Sequence, residues 1–235
     1  MQAASMTNFA VEAAATSALE LVRDGMRLGL GTGHGALAFV ARLAERVRSG
    51  LRVVGVPTSE ATAAEARRLG IPLGALDDDE LALTVDGADE VAPNLDLVKG
   101  FGGALVRERI VAMASRRQVI LVGREKLVDR LGTRGRIPIE VVPFACPLVV
   151  RRVRALGLEP VVRLAEGRQV VSDNGNLTLD CGIATPLADA RAARVLAADL
   201  RAIPGVVDTG LFLGTAERVL VGHPDGHVDV LQARR

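Results

Sequence analysis

Two hydrophobic periods alternate along this chain, and the switches between them mark its elements. Asn8–Val22, rich in Ala and Leu, reads as a helix stopped by Asp24-Gly25. Arg27–Leu30 is then a short strand running into a glycine loop. Helical spacing resumes over Ala36–Val47 through Leu37, Val40, Leu43 and Val47. Leu51–Val56 suits a buried strand, and Ser59–Leu69 a helix opened by a Ser-x-x-Thr cap region and stopped by Gly70. Leu81–Val85 forms a third strand, Gly103–Arg116 a helix and Gln118–Val122 a fourth strand. Strands alternating with helices of this length imply βαβ units and a mostly parallel sheet.

The pattern changes after about Gly132. Ile137–Val142 reads as a strand, Pro147–Leu156 as a helix, and Val161–Leu164 and Gln169–Ser172 as strands. Asn174-Gly175 is a tight turn before the strand Leu177–Asp180. A helix over Leu187–Ala202 ends at Ile203-Pro204-Gly205. This βαββα block is expected to be an antiparallel unit inserted in the main framework. Val206–Leu213 and Arg218–Gly222 are expected to be strands that rejoin the first sheet. The expected fold class is α/β: a Rossmann-like, mostly parallel sheet flanked by helices, with a smaller inserted α+β (ferredoxin-like) domain. The expected boundaries are 1–132 plus 206–235 for the α/β domain and 133–205 for the insertion.

Composition narrows the function classes. With 49% hydrophobic and 24% charged residues, the 235-residue chain has enough apolar material for a core. A formal charge of +1 argues against a nucleic-acid partner, and 2% aromatics, with no Trp or Tyr, against base-stacking platforms. No apolar run reaches the roughly 18 residues of a spanning helix, so no membrane partner is expected. No signal peptide is read before the first helix, and Cys146 and Cys181 form no CxxC pair; a reducing, cytoplasmic location is expected. Three histidines (His34, His223, His227) leave little for a His/Cys metal site, and no metal is expected. Only two of the 29 basic residues are lysine, Lys99 and Lys126.

Three stretches carry candidate chemistry. The first is Gly29-Leu-Gly-Thr-Gly-His-Gly35, between a strand and a helix. It fits a loose dinucleotide fingerprint, but the next strand ends Val54-Gly-Val-Pro-Thr58, without the carboxylate that would hold a ribose. Two readings stay open: a phosphate cradle of backbone amides at a helix N-terminus, or a tight packing turn. The second stretch is Asp86-Gly87-Ala88-Asp89, at the C-terminal end of a strand, where its acids either cap the next segment or do chemistry. The third is Lys99-Gly100-Phe101-Gly102-Gly103-Ala104, followed by Arg107-Glu108-Arg109. Glu108 falls about one turn into that helix. A carboxylate and an ammonium beside two aspartates suit proton transfer next to a carbonyl, the lysine steadying an enediolate oxygen.

Asp86-Gly-Ala-Asp-Glu90, Lys99-Gly-x-Gly-Gly-Ala-Leu105 and Arg107-Glu108 together resemble the type A ribose-5-phosphate isomerase family. Gly29–Gly33, Val56-Pro-Thr-Ser-Glu60, Gly123–Val128, Ser172-Asp-Asn-Gly-Asn176 and Ile203-Pro-Gly-Val-Val207 extend the match over nearly the whole chain. The resemblance implies interconversion of ribose 5-phosphate and ribulose 5-phosphate through an enediolate, in the non-oxidative pentose phosphate pathway, without cofactor or metal. It implies that Glu108 shuttles the proton, and that Asp86, Asp89 and Lys99 assist ring opening and hold oxygens. Substrate contacts are implied for Thr32, Gly33, His34, Gly35, Gly87, Ala88, Gly100, Phe101, Gly102 and Lys126. A homodimer or homotetramer is implied as well.

The chain departs from the family in three places. The family loop commonly continues Gly-Thr-Gly-Ser-Thr, where this chain has His34-Gly35. Some members carry an N-terminal lysine that has no counterpart near Val11, and Phe101 interrupts the lysine-glycine run. His34 either donates a hydrogen bond to the phosphate or faces outward while the amides bind. The rival readings are an isomerase of a related sugar phosphate and a non-catalytic sugar-phosphate sensor.

Overall fold

The computed structural model describes residues 2–77 and 79–232, with side chains described from Phe9 onward in the first helix. Contacts divide the chain into two compact units, 1–88 with 107–126 and 214–235, and 89–106 with 127–213.

The first unit holds a six-stranded sheet. Its order is Val228–Gln232, Arg218–Gly222, Gln118–Gly123, Leu83–Gly87, Arg27–Leu30 and Val54–Pro57. All neighbours are parallel except the terminal hairpin, where Val228–Gln232 runs antiparallel to Arg218–Gly222. Gln118–Gly123 is buried at every position, as a parallel strand covered on both faces must be. On one face, Leu28, Leu30, Val85, Val119 and Leu121 pack against Phe39, Val40, Leu43 and Ala44 of helix His34–Arg48. The apolar i, i+3, i+4 stripe of that helix is what turns it onto the sheet. Ala14, Ala15 and Ala18 of helix Gln2–Leu19 join the same core. The other face receives helix Leu105–Met113, since Thr84 Oγ1 donates to Val111 O at 3.3 Å.

From Arg27–Leu30 the chain crosses to Val54–Pro57 on one side and then to Leu83–Gly87 on the other. Strand order therefore reverses between Arg27–Leu30 and Leu83–Gly87. The loops leaving their carboxyl ends diverge there and open a crevice of the kind that open α/β sheets use for ligands.

In the second unit, four antiparallel strands lie in the order Val206–Thr209, Arg136–Val141, Leu177–Gly182 and Glu159–Val162. With helices Cys146–Ala155 and Ala190–Arg201 the chain order is βαββαβ, a split βαβ or ferredoxin-like unit. Ile139, Val141, Leu179 and Cys181 pack on Val149, Val153 and Leu200 to form its core. Burial pushes the Cys181 thiol up to about 12, and the neighbouring Asp180 carboxylate adds to the shift. Cys181 is therefore an inert core residue. Pro138, Glu140, Thr178 and Asp180 alternate with the core residues and point to the opposite face.

One expected strand divides. Val206–Leu213 does not rejoin the first sheet: Val206–Thr209 pairs with Arg136–Val141, and Leu211–Phe212 pairs with Leu97–Val98. Gly210 separates the two pieces, in close approach to the Lys99 carbonyl, where any Cβ would collide. The pairing of Leu97–Val98 with Leu211–Phe212 and Glu90–Val91 draws 89–106 into the second unit. Val228–Gln232 is a further strand that the hydrophobic pattern does not announce. Of Gln169–Ser172, Arg168–Gln169 pairs with Leu164–Ala165 and Val171 bridges to Leu177.

Candidate functional site

At the strand-order reversal the glycine loop is fastened by its own backbone. Gly31 N donates to Val85 O at 2.9 Å, and Thr32 N donates to Asp86 Oδ1 at 3.1 Å. Gly33 has φ 96°, a conformation that favours glycine, and caps helix His34–Arg48 without a side-chain hydrogen bond. The first amides of that helix thus open toward the crevice with the positive end of its dipole. His34 is the first helical residue and is exposed. Gly35 lies close over strand Gln118–Gly123: a Cβ there would stand 2.9 Å from Leu121 O, so a larger residue requires the helix start to shift.

Thr32 does more than line the loop. Its Oγ1 lies 2.7 Å from Thr58 Oγ1, 2.8 Å from Ser59 Oγ and 3.2 Å from Thr62 Oγ1. Thr62 Oγ1 donates back to Gly31 O at 2.9 Å, and Ser59 caps helix Glu60–Arg68 by accepting from Thr62 N. Thr58, Ser59 and Thr62 were not among the expected site residues. Their signal is present in the hydroxyl-rich turn Val56-Pro-Thr-Ser-Glu60 that ends the second strand and in the Ser59-x-x-Thr62 cap that follows it.

Asp86 is fully buried, and its Oδ1 also accepts from Gly87 N at 2.7 Å. Glu108, 4% exposed, reaches the same end of the sheet. The end of helix Leu105–Met113 is fastened at the foot of strand Leu83–Gly87, where Leu81 N donates to Ala114 O, so helix and strand run in opposite directions. From the Thr84–Val111 contact, two strand residues rise about 6.6 Å to Asp86. Three helix residues back rise about 4.5 Å to Glu108. Lys126, half-buried, ends the short turn Arg124–Lys126 that follows the adjacent strand Gln118–Gly123. Gly87 and Ala88 are half-buried beyond Asp86.

The remaining expected residues belong to the second unit. Asp89 N donates to Val98 O at 2.8 Å, and Asp89 Oδ2 accepts from Phe101 N at 2.9 Å. Lys99 is 2% exposed; its N donates to Gly210 O, and its Nζ lies 5.5 Å from the Phe212 ring centroid. Gly100 has φ 101°, with Leu105 packed where a Cβ would go. Gly102 is exposed at the turn, and Gly103 N donates to Gly100 O. Arg163 and Asp180, also absent from the expected set, bear on this loop through Arg163 Nη1, which donates to Gly100 O and Phe101 O at 2.9 Å each. Among the described residues no group of three or more His, Cys, Asp or Glu is arranged to hold a metal ion. No helix among them is long and apolar enough to cross a membrane.

Residues 54–226 match the family model described as ribose 5-phosphate isomerase A (phosphoriboisomerase A). The ribose-5-phosphate isomerase A of Roseiflexus castenholzii is 51% identical over 221 residues, covering 92% of this chain and 93% of that one. A solved structure of ribose 5-phosphate isomerase A from Methanocaldococcus jannaschii is 38% identical, with a TM-score of 0.88 over 95% of this chain and 98% of its own. A second, D-ribose-5-phosphate isomerase in complex with phospho-erythronic acid, is 35% identical, with a TM-score of 0.88 over 94% and 97%.

Proposed function

Because the chain belongs to the ribose 5-phosphate isomerase A family, we propose that it interconverts D-ribose 5-phosphate and D-ribulose 5-phosphate through an enediolate. The observation that carries this reading is the pair of buried carboxylates, Asp86 and Glu108, at the carboxyl end of the sheet where strand order reverses. A related isomerase is known in complex with phospho-erythronic acid, a four-carbon phosphorylated acid whose planar, anionic carboxylate resembles the C1–C2–O2 end of an enediolate.

In this mechanism Glu108 removes the proton from C2 of the open-chain aldose, and the electron pair moves toward O1. The Lys99 ammonium stabilises the oxyanion that develops. Glu108 then returns the proton to C1 while the O2 hydroxyl proton passes to O1, so no atom is gained or lost. Asp86 and Asp89 assist ring opening and hold the sugar oxygens. Backbone groups of Gly33, Gly35, Gly87, Ala88, Gly100, Phe101 and Gly102, with Thr32, His34 and Lys126, contact the substrate. The chemistry needs no cofactor. A cytoplasmic homodimer or homotetramer, which the family resemblance implies, completes the reading.

The purified protein should isomerise ribose 5-phosphate faster than other pentose and hexose phosphates in a panel. Failure to turn over any of them would falsify the enzyme reading, and preference for another sugar would move the substrate. His34→Ala should raise KM about 3- to 10-fold, the worth of one net hydrogen bond, with kcat unchanged. An unchanged KM would mean that His34 faces away and the amides bind alone.

A further inference from the structure

The loop that carries Lys99 is gripped from one side by a pair of residues with no role in the proposed chemistry. Arg163 uses its planar fork in two directions. Nε and Nη2 donate to Asp180 Oδ2 at 2.9 Å and Oδ1 at 2.6 Å, a bidentate pair. Nη1 donates to two consecutive loop carbonyls, Gly100 O and Phe101 O, at 2.9 Å each. Both partners are largely withdrawn from solvent, with side chains 12% and 14% exposed. Asp180 also lies 3.3 Å from Arg136 Nη1, and the Arg136 guanidinium carbon sits 4.0 Å from the Phe101 ring centroid. One carboxylate therefore organises two arginines: one holds the backbone of the loop, the other covers its side chain.

Peptide geometry turns this grip into a positional constraint. The Gly100–Phe101 peptide plane is held at both ends, its carbonyl by Arg163 and its N–H by Asp89 Oδ2. In the next plane the carbonyl of Phe101 is drawn to Arg163, so the Gly102 N–H points to the opposite side. Two planes held in succession leave the loop little freedom immediately after Lys99. Gly100, at φ 101°, would otherwise be its softest point. Lysine could not do the same, because an ammonium offers no flat fork to bridge a carboxylate and two carbonyls at once.

We propose that Arg163, oriented by Asp180, is a positioning residue that fixes the Lys99–Gly103 loop for isomerisation. The catalytic part of this inference rests on the assignment of Lys99 under the proposed function. The grip itself does not. The experiment compares Arg163→Gln, Arg163→Lys and Asp180→Asn with the unmodified protein, by steady-state kinetics and by hydrogen–deuterium exchange over 97–106. Arg163→Gln should lower kcat about 10²-fold, the usual cost of a small misplacement, with KM changed much less. Exchange in 97–106 should accelerate while 118–123 stays protected. Asp180→Asn should move both readouts the same way, and Arg163→Lys should recover part of kcat by keeping one contact. Unaltered exchange in 97–106 in a folded Arg163→Gln protein overturns the grip. Faster exchange with kcat within threefold of normal overturns its catalytic role. If the unmodified protein turns over no sugar phosphate, the proposed function fails, and the exchange measurement still decides whether Arg163 holds the loop.

Discussion

Glu108→Gln is expected to reduce kcat by about 10⁴-fold, the upper range for removing a positioned general base. Glutamine matches glutamate in volume and can still form hydrogen bonds. The packing of helix Leu105–Met113, with Val111 at Thr84, should therefore survive. The change removes only the capacity to take a proton from carbon. Substrate affinity should change little, because the proposed phosphate and hydroxyl contacts lie on other residues. Two measurements check this: turnover of ribose 5-phosphate, and incorporation of solvent deuterium at C1 and C2 during equilibration. A variant that keeps a tenth of normal turnover would remove Glu108 from the proton path and leave Asp86 as the next candidate, on burial.

The elements legible in the sequence are those whose burial writes a continuous signal. Gln118–Gly123, covered on both faces, reads as an unbroken apolar run, and helix His34–Arg48 shows its buried stripe at helical spacing. Val228–Gln232 sits at a sheet edge with no fully buried position, so it carries no comparable signal. Glu90–Val91 and Leu97–Val98, two residues each, are too short for any period. Val206–Leu213 misleads for a different reason: Val206-Val207 and Leu211–Leu213 read as one strand across Asp208-Thr209, but Gly210 divides the segment between two sheets.

The site follows the same logic. Glycine loops and their flanking acids are contiguous, so their motif survives in one dimension. The Arg163–Asp180 pair does not. It is brought together by antiparallel pairing, in which Asp180 sits opposite Val161, and it reaches a loop more than sixty residues away in the chain. In a chain whose basic residues are nearly all arginine, nothing local distinguishes Arg163 from the others. The same holds for Thr58, Ser59 and Thr62: the hydroxyls are visible, but their convergence on Thr32 follows from the parallel pairing of Arg27–Leu30 with Val54–Pro57.

Gly31→Ala is expected to damage stability and catalysis together. A Cβ at this position would stand 2.6 Å from the Asp86 Cα and nearer still to its carboxylate. The Asp86 Cα belongs to strand Leu83–Gly87, which is fixed between two parallel neighbours and cannot swing aside as a side-chain tip could. The strand end and the loop must separate, straining the Gly31 N–Val85 O and Thr32 N–Asp86 Oδ1 bonds. Overpacking of this kind costs about 1–3 kcal/mol. For a chain of this size each kcal/mol lowers the melting midpoint by about 2–4 °C. Catalysis should suffer more: Asp86 is displaced and the amides opening helix His34–Arg48 shift with the loop. A fall of about 10²-fold in kcat with a raised KM is expected from misplacement on that scale. Leu200→Ala separates the two effects. It empties a fully buried position in the core of the second unit and should cost about 2–5 kcal/mol, more than Gly31→Ala. Yet assayed where it is folded, it should retain normal kcat. If Gly31→Ala also retains normal kcat, the close approach of loop and aspartate serves packing alone, and the glycine cradle loses its link to the chemistry.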